Sequence, residues 1–171
     1  RTLIVSDTHG SVTAWRKACA LAGNIDQIIH AGDVLYHGPR NPLPYGYDPA
    51  QLAAEFHKSE LPFFWARGNC DADVDLMVMG CKAMDFIKLQ ILGIKVLVYH
   101  GHLPPPPGDY ALVISGHSHL PVLEHRQNTI YLNPGSPALP KGGPGTFAVF
   151  DSRTIRLIAI ETGETVKTIN I

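Results

Sequence analysis

The sequence predicts an α/β fold, and two observations carry that prediction. Short apolar runs alternate with helical stretches up to residue 66, and strand-like runs joined by tight turns fill the remainder. The order β-α-β-α-β in the first part implies a parallel sheet with covering helices. The strand-rich second part implies mixed pairing in a second sheet packed on the first.

Leu3-Ile4-Val5 reads as a buried strand ending before Asp7 and Gly10. Residues 12–22 carry a helical stripe of Val12, Trp15, Cys19 and Ala22, with Gly23 as the C-terminal cap. Ile28-Ile29 is the second strand, and a Pro/Gly/Tyr-rich loop spans 36–47. Asp48 reads as an N-cap, with Pro49 at the first helical position and Gln51 three residues after the cap. That helix ends before Pro62, and Phe63–Ala66 is the third strand. Residues 85–99, 112–115, 121–133, 146–151, 154–160 and 166–171 then read as strands. Leu103–Gly108 is a stiff polyproline loop. With 171 residues and no linker or repeat, the expectation is one domain spanning 1–171.

The chain has 14 Lys and Arg against 15 Asp and Glu, so no overall field favours long nucleic acid or an acidic membrane. No apolar run approaches the length that spans a bilayer, and no secretory hydrophobic segment is visible. Three scattered Cys without a Cys-x-x-Cys pair fit a reducing cytoplasm better than a disulfide framework. Nine His are many for this length and are the most informative entry in the composition.

Five apolar runs stop on metal-ligand side chains: Asp7 and His9, Asp33, Asn69, His100, and His117 with His119. In α/β sheets, the carboxyl ends of strands form the crevice where ligands bind. In extended chain, residues i and i+2 point the same way, so Asp7/His9 and His117/His119 are each expected as a two-pronged set. Neighbouring glycines at 10, 32, 68, 101 and 116 permit tight turns and close backbone approach. Singly, Asp7 or Asn69 reads as a turn residue and His100 as a core histidine. Jointly, five independent turns would all have to choose ligand types. Four imidazoles, two carboxylates and an amide suit manganese, iron, zinc or nickel. Seven groups exceed one tetrahedral ion; with Asp33 as a bridge they supply two ions spaced ~3.5–4 Å apart.

The motifs Asp7-Thr8-His9, Gly32-Asp33, Gly68-Asn69-Cys70-Asp71, His100-Gly101-His102 and Gly116-His117-Ser118-His119 resemble the calcineurin-like metallophosphoesterases, in that order. Residues 37–41, 119–122 and 133–136 extend the resemblance to the small bacterial YfcE-type phosphodiesterases. The resemblance implies a four-layer α-β-β-α sandwich, two mixed sheets flanked by helices. It implies two divalent metal ions, often manganese, and hydrolysis of a small phosphate diester by a metal-bound hydroxide. One ion would take Asp7, His9, Asp33 and His119, and the other Asp33, Asn69, His100 and His117. A phosphomonoesterase of the same fold, or an interaction scaffold like the retromer subunit that resembles it, are the competing readings. The complete ligand set favours catalysis.

Asp33 and Asn69 head the candidate catalytic residues. Many relatives carry His after the motif Asn, where it is thought to protonate the leaving oxygen; here Cys70 takes that position. A thiol of pKa ~8.5 is a poor acid for alkoxide leaving groups, so aryl esters and activated diesters are the expected substrates. His37 or His102 are the alternative proton donors, and Arg40 is a candidate contact for substrate phosphate. Asp71 either orients a ligand or contacts Arg67, and Asn133–Ser136 either line the pocket or form a plain turn. Exposed aromatics in the 36–47 loop leave room for a homo-oligomer interface.

Overall fold

The computed structural model describes residues 1–171. Strand β1 (Thr2–Val5) leads into α1 (Val12–Ala22), β2 (Gln27–His30), α2 (Pro49–Lys58) and β3 (Phe63–Ala66). Helix α3 (Asp73–Met79) and the short β4 (Ala83–Met84) follow. The second part is all strand: β5 (Phe86–Ile91), β6 (Ile94–Tyr99), β7 (Leu112–Ile114), β8 (Pro121–Arg126), β9 (Thr129–Pro134), β10 (Thr146–Asp151), β11 (Thr154–Ala159) and β12 (Thr165–Asn170).

The helix caps form as their residues dictate. Ser11 Oγ accepts the Ala14 amide at 3.1 Å and Asp48 Oδ1 accepts the Gln51 amide at 3.0 Å. Gly23, at φ 72°, closes α1 by donating to Cys19 O. Helix α3 was not expected. It has seven residues, Ala72 at its N-cap offers no side-chain acceptor, and Asp75 instead reaches back to the Ala72 amide at 2.9 Å.

Two mixed sheets stack on one another. The larger has the order β12-β11-β10-β1-β2-β3-β4, and the smaller β5-β6-β7-β9-β8. Strands β1 to β4 run parallel, as do β6, β7 and β9. The second sheet is narrower than the strand-rich second half led us to expect. β10 pairs antiparallel with β1, and β11 and β12 continue outward, so three late strands widen the first sheet instead. Which strand a late segment joins is set by distant partners, and its own pattern does not encode that choice.

Alternation along each strand divides the core in two. Leu3, Val5, Ile28 and Trp65 face Trp15, Leu52 and Phe56 of the helices. Ile4, Ile29 and Ala66 face Val96, Val98, Leu112 and Ile114 of the smaller sheet. Burial on both faces explains the uninterrupted Leu-Ile-Val run of β1.

The two-sheet α/β class is as expected, with one departure from four layers: no helix covers the outer face of the smaller sheet. Leu97 and Val113 point to that face yet are only 1% and 7% exposed. Parallel β6 and β7 require a crossover, which residues 100–111 supply. Pro104–Pro107 lack amide hydrogens, so this crossover is coil where a helix commonly lies.

Candidate metal centre

Because β1, β2, β3, β6, β7 and β9 share a direction, their carboxyl ends gather along one edge. The chain beyond β1 carries Asp7 and His9, and the chain beyond β2 carries Asp33. Asn69 follows β3, His100 follows β6, and His117 and His119 follow β7. Backbone bonds hold these loops together past the strand ends: Asp7 N to Gly32 O at 2.9 Å, His9 N to Asp33 O at 3.0 Å, and Gly116 N to His100 O at 2.8 Å.

The loops do not continue the extended geometry assumed from the i, i+2 spacing. Asp7, His9, Asp33, His117 and His119 all have left-handed φ, between 46° and 68°. Their side chains converge because each backbone turns sharply, and not because a strand keeps its alternation. Such conformations are unfavourable for residues with a Cβ and cluster at functional sites. The glycines do serve close approach: a Cβ on Gly68 would lie 2.1 Å from Asp33 Oδ1, and one on Gly116 1.9 Å from Ser6 Oγ.

Five of the seven expected ligands meet at the base of this edge. His119 Nε2 lies 3.3 Å from Asp7 Oδ1 and 3.2 Å from His9 Nε2. Asp33 Oδ2 lies 3.8 Å from His9 Nε2 and 3.4 Å from His100 Nε2. The His117 ring sits 5.1 Å from that of His100, centroid to centroid, and is exposed. Asn69 is exposed on the rim of the cleft above.

Three histidines have their tautomers fixed by backbone carbonyls. His9 Nδ1 donates to Tyr36 O at 2.7 Å, His100 Nδ1 to Ala31 O at 2.6 Å, and His119 Nδ1 to Leu139 O at 2.6 Å. Each therefore turns its Nε2 inward, toward the two carboxylates. The His9 and His119 Nε2 atoms lie 3.2 Å apart, so two neutral lone pairs there repel unless a proton or a metal cation sits between them. Asp7 Oδ1 and His100 Nε2 are buried without any hydrogen-bond partner.

The electrostatics point the same way. Burial raises the Asp33 pKa, but the His100 imidazole 3.4 Å away outweighs burial and holds it well below the usual carboxylate range. Burial lowers the His100 pKa, yet the Asp33 and Asp7 carboxylates carry it up to about 9. Two buried carboxylates thus draw positive charge into the cradle. Donor triads Asp7/His9/His119 and Asp7/Asp33/His100 each lie within 4.8 Å, so the set fits divalent cations.

A buried frame supports the cradle. Asp71 accepts from Asp33 N at 3.0 Å, Val34 N at 2.8 Å, Gly68 N at 2.7 Å and Trp65 Nε1 at 3.0 Å. It therefore locks the loops of Asp33 and Asn69 together. Arg67, its other suggested partner, reaches only the Asp71 carbonyl and the Asp73 carboxylate. Asp7 Oδ2 accepts Ser6 Oγ at 2.6 Å and the His117 amide at 2.9 Å. Asn133 holds Gly116 O and Ser136 holds Asp7 O, so Asn-Pro-Gly-Ser clamps the cradle loops. His30, fully buried, bonds Thr8 Oγ1 at 2.9 Å and accepts the Gly32 amide.

The remaining candidates sit around the cleft. Burial and then the Asp33 charge push the Cys70 thiol up to about 12, so it stays protonated at neutral pH. His102 is exposed, its ring 5.4 Å from His100. His37 turns toward Tyr47, with Nδ1 3.4 Å from its hydroxyl. Arg40 lines the cleft, as does Lys141, which sequence reasoning missed. Lys141 lies in the Gly/Pro-rich 140–145 segment, where no periodicity or ligand motif marks it.

Fold and cradle together define a class: α/β proteins that collect metal-ligand side chains at the shared carboxyl edge of two stacked sheets. Residues 1–154 match the calcineurin-like phosphoesterase superfamily domain, and the chain belongs to that superfamily. Phosphodiesterase YfcE of Escherichia coli (strain K12) is 34% identical over 169 residues, spanning 94% of this chain and 92% of the relative. The solved structure of E. coli YfcE, a phosphoesterase, superposes with a TM-score of 0.93 at 32% identity, covering 99% of this chain and 98% of that one. Vacuolar protein sorting 29 from Cryptosporidium parvum matches with a TM-score of 0.65 at 16% identity, over 99% of this chain and 97% of that one; this likeness is one of fold alone.

Proposed function

We infer that this protein is a metal-dependent phosphoric diester hydrolase acting on small phosphodiesters. The observation that carries the reading is the convergence of three tautomer-fixed Nε2 atoms on the unpartnered Asp7 Oδ1 and on Asp33, at the base of an open cleft. The naming of the E. coli relative as a phosphodiesterase supports it.

In this reading Asp7, His9, Asp33 and His119 hold one divalent ion, and Asp33, Asn69, His100 and His117 hold a second. Manganese is the preferred metal, with zinc, iron and nickel as alternatives. The bound ions supply Lewis acidity toward phosphoryl oxygens and lower the pKa of a water. The chain's contribution is orientation. Asp33 offers Oδ2 to both sides while Oδ1 accepts the Cys70 amide at 2.8 Å, so its carboxylate cannot rotate freely. Asn69 and His117, both exposed, leave the cleft side of the pair accessible to substrate.

Cys70 bears on leaving-group choice. A thiol held protonated with a pKa near 12 is a weak proton donor, so esters of stable leaving groups are favoured over alkyl esters. His102, exposed beside His100 and His117, is the better-placed alternative donor; His37 is engaged with Tyr47.

Hydrolysis of bis-p-nitrophenyl phosphate by manganese-loaded protein, abolished by chelator and faster than that of p-nitrophenyl phosphate, is the expected result. Faster turnover of the monoester would reassign the site to a phosphatase. No turnover of either with manganese, zinc, iron or nickel would remove the catalytic reading.

A further inference from the structure

The metal cradle accounts for only part of the cleft above it. The cleft has a volume of about 840 Å³, and its wall runs from Cys70 past Tyr36 and Arg40 to Lys141. That is room for a ligand much larger than a dialkyl phosphate. The carboxylates in its lining are already engaged: Asp33 by the Cys70 amide and His100, Asp71 by four donors. The two cations are not engaged. Arg40 and Lys141 are exposed, and neither side chain takes part in any of the protein's ion pairs.

Both cations ride on segments that also fix the cradle. Tyr36 O holds His9 Nδ1, and the Asn41 side chain, bonded to His37 O at 2.8 Å, closes the turn that carries Arg40. Leu139 O holds His119 Nδ1, and the Lys141 amide donates to His119 O at 3.3 Å. The backbone that positions two of the cradle imidazoles therefore also positions two unpaired positive charges on the wall of the cleft.

We propose that Arg40 and Lys141 form a subsite for a second anionic group, so that the substrate is a small phosphodiester bearing a further phosphate or carboxylate on one of its alcohols. The proposal rests on the diesterase reading and narrows its substrate class. A scissile diester carries a single negative charge, which a pair of divalent ions already neutralises. Two further cations have nothing to meet on a simple diester. A guanidinium fork suits a phosphate or carboxylate face, and an ammonium adds a point charge. Only three of the thirteen lining residues are hydrophobic, so the wall offers no continuous apolar seat to a lipid chain.

The test uses three p-nitrophenyl diesters of matched size, whose second alcohol ends in a neutral amide, a carboxylate or a phosphonate. On the manganese-loaded protein, kcat/KM for a charged probe is expected to exceed that for the neutral one by about tenfold or more, through KM. In the double variant Arg40→Gln, Lys141→Gln that ratio falls to within about twofold, and Lys141→Arg retains it. Comparing the carboxylate and phosphonate probes identifies the group. Calorimetric titration with the same probes, their cleavable P–O bond replaced by P–C, reads binding without turnover and shows the same charge preference. Equal handling of neutral and charged probes, or a preference that survives the double variant, overturns the subsite. If no diester is hydrolysed with any metal, the diesterase reading fails by itself, and the titration still decides whether the second anion is bound.

Discussion

The larger sheet supplies both carboxylates of the cradle, Asp7 and Asp33, with one imidazole, His9, and places the Asn69 amide on the rim above. The smaller sheet sends imidazoles only: His100, His117 and His119. The difference is one of physical role. A carboxylate carries charge and two oxygens, so it can serve two neighbours at once, as Asp33 does toward His9 and His100. A neutral imidazole offers one directional lone pair, useful only when its tautomer is set. Accordingly the larger sheet's acids are held by amide donors, and the buried histidines by carbonyl acceptors.

The sharpest way to break this division is to remove the shared acid. Asp33→Ala is expected to deplete the protein of metal, measured by elemental analysis, and to lower kcat/KM by more than about 100-fold, because even indirect partners of metal ligands are worth 10–100-fold. Unchanged metal stoichiometry would refute the shared role. Next in size, Asp71→Asn puts an amide where four donors converge. A destabilisation of about 3–5 kcal/mol is expected in urea unfolding, since a buried acceptor of N–H groups is replaced by a group that also donates. A loss under 1 kcal/mol would show that the frame of the larger sheet does not depend on it.

A pH measurement separates the frame from the cradle. Burial pushes the His30 pKa down from 6.5 to about 3. A depressed histidine contributes stability that is complete above its unfolded pKa and is lost as pH falls toward its folded pKa. Between pH 6.5 and 4.5 the native protein should therefore lose about 2–3 kcal/mol more than His30→Gln. Parallel stability curves would place the acid sensitivity elsewhere. The smallest effect belongs to Cys70→His. Turnover of alkyl diesters should rise about tenfold, the low end of what a positioned acid provides, while aryl diesters change less than about threefold. A uniform change across leaving groups would mean that residue 70 does not deliver the proton.

Much of this was legible in the chain because the informative signals are local. Ligand types beside glycines at strand ends are visible without a partner, and so are Ser11, Asp48 and Gly23 as caps. What escaped depends on distant contacts or on backbone turns. Nothing in Thr146–Asp151 announces that it pairs with β1 and not with the smaller sheet. The i, i+2 argument assumed extended backbone, which these loops lack: Asp7 and His9 both reach the cradle while His117 stays exposed, because left-handed φ at Asp7 or His119 is a property of loops that tertiary bonds impose. Helix α3 is too short for a periodic stripe, and Lys141 lies where composition announces only a turn.

Those left-handed backbones have a consequence for how the protein lives with metal. Each opposes its own Cβ by on the order of 1 kcal/mol, a tension sustained by the amide bonds that bridge one loop to the next. A glycine in place of Asp7 or His119 would relax the chain while erasing the ligand. Donors wound this tightly keep their places only while those amide bonds hold, so ion binding and docking of the two sheets are thermodynamically linked.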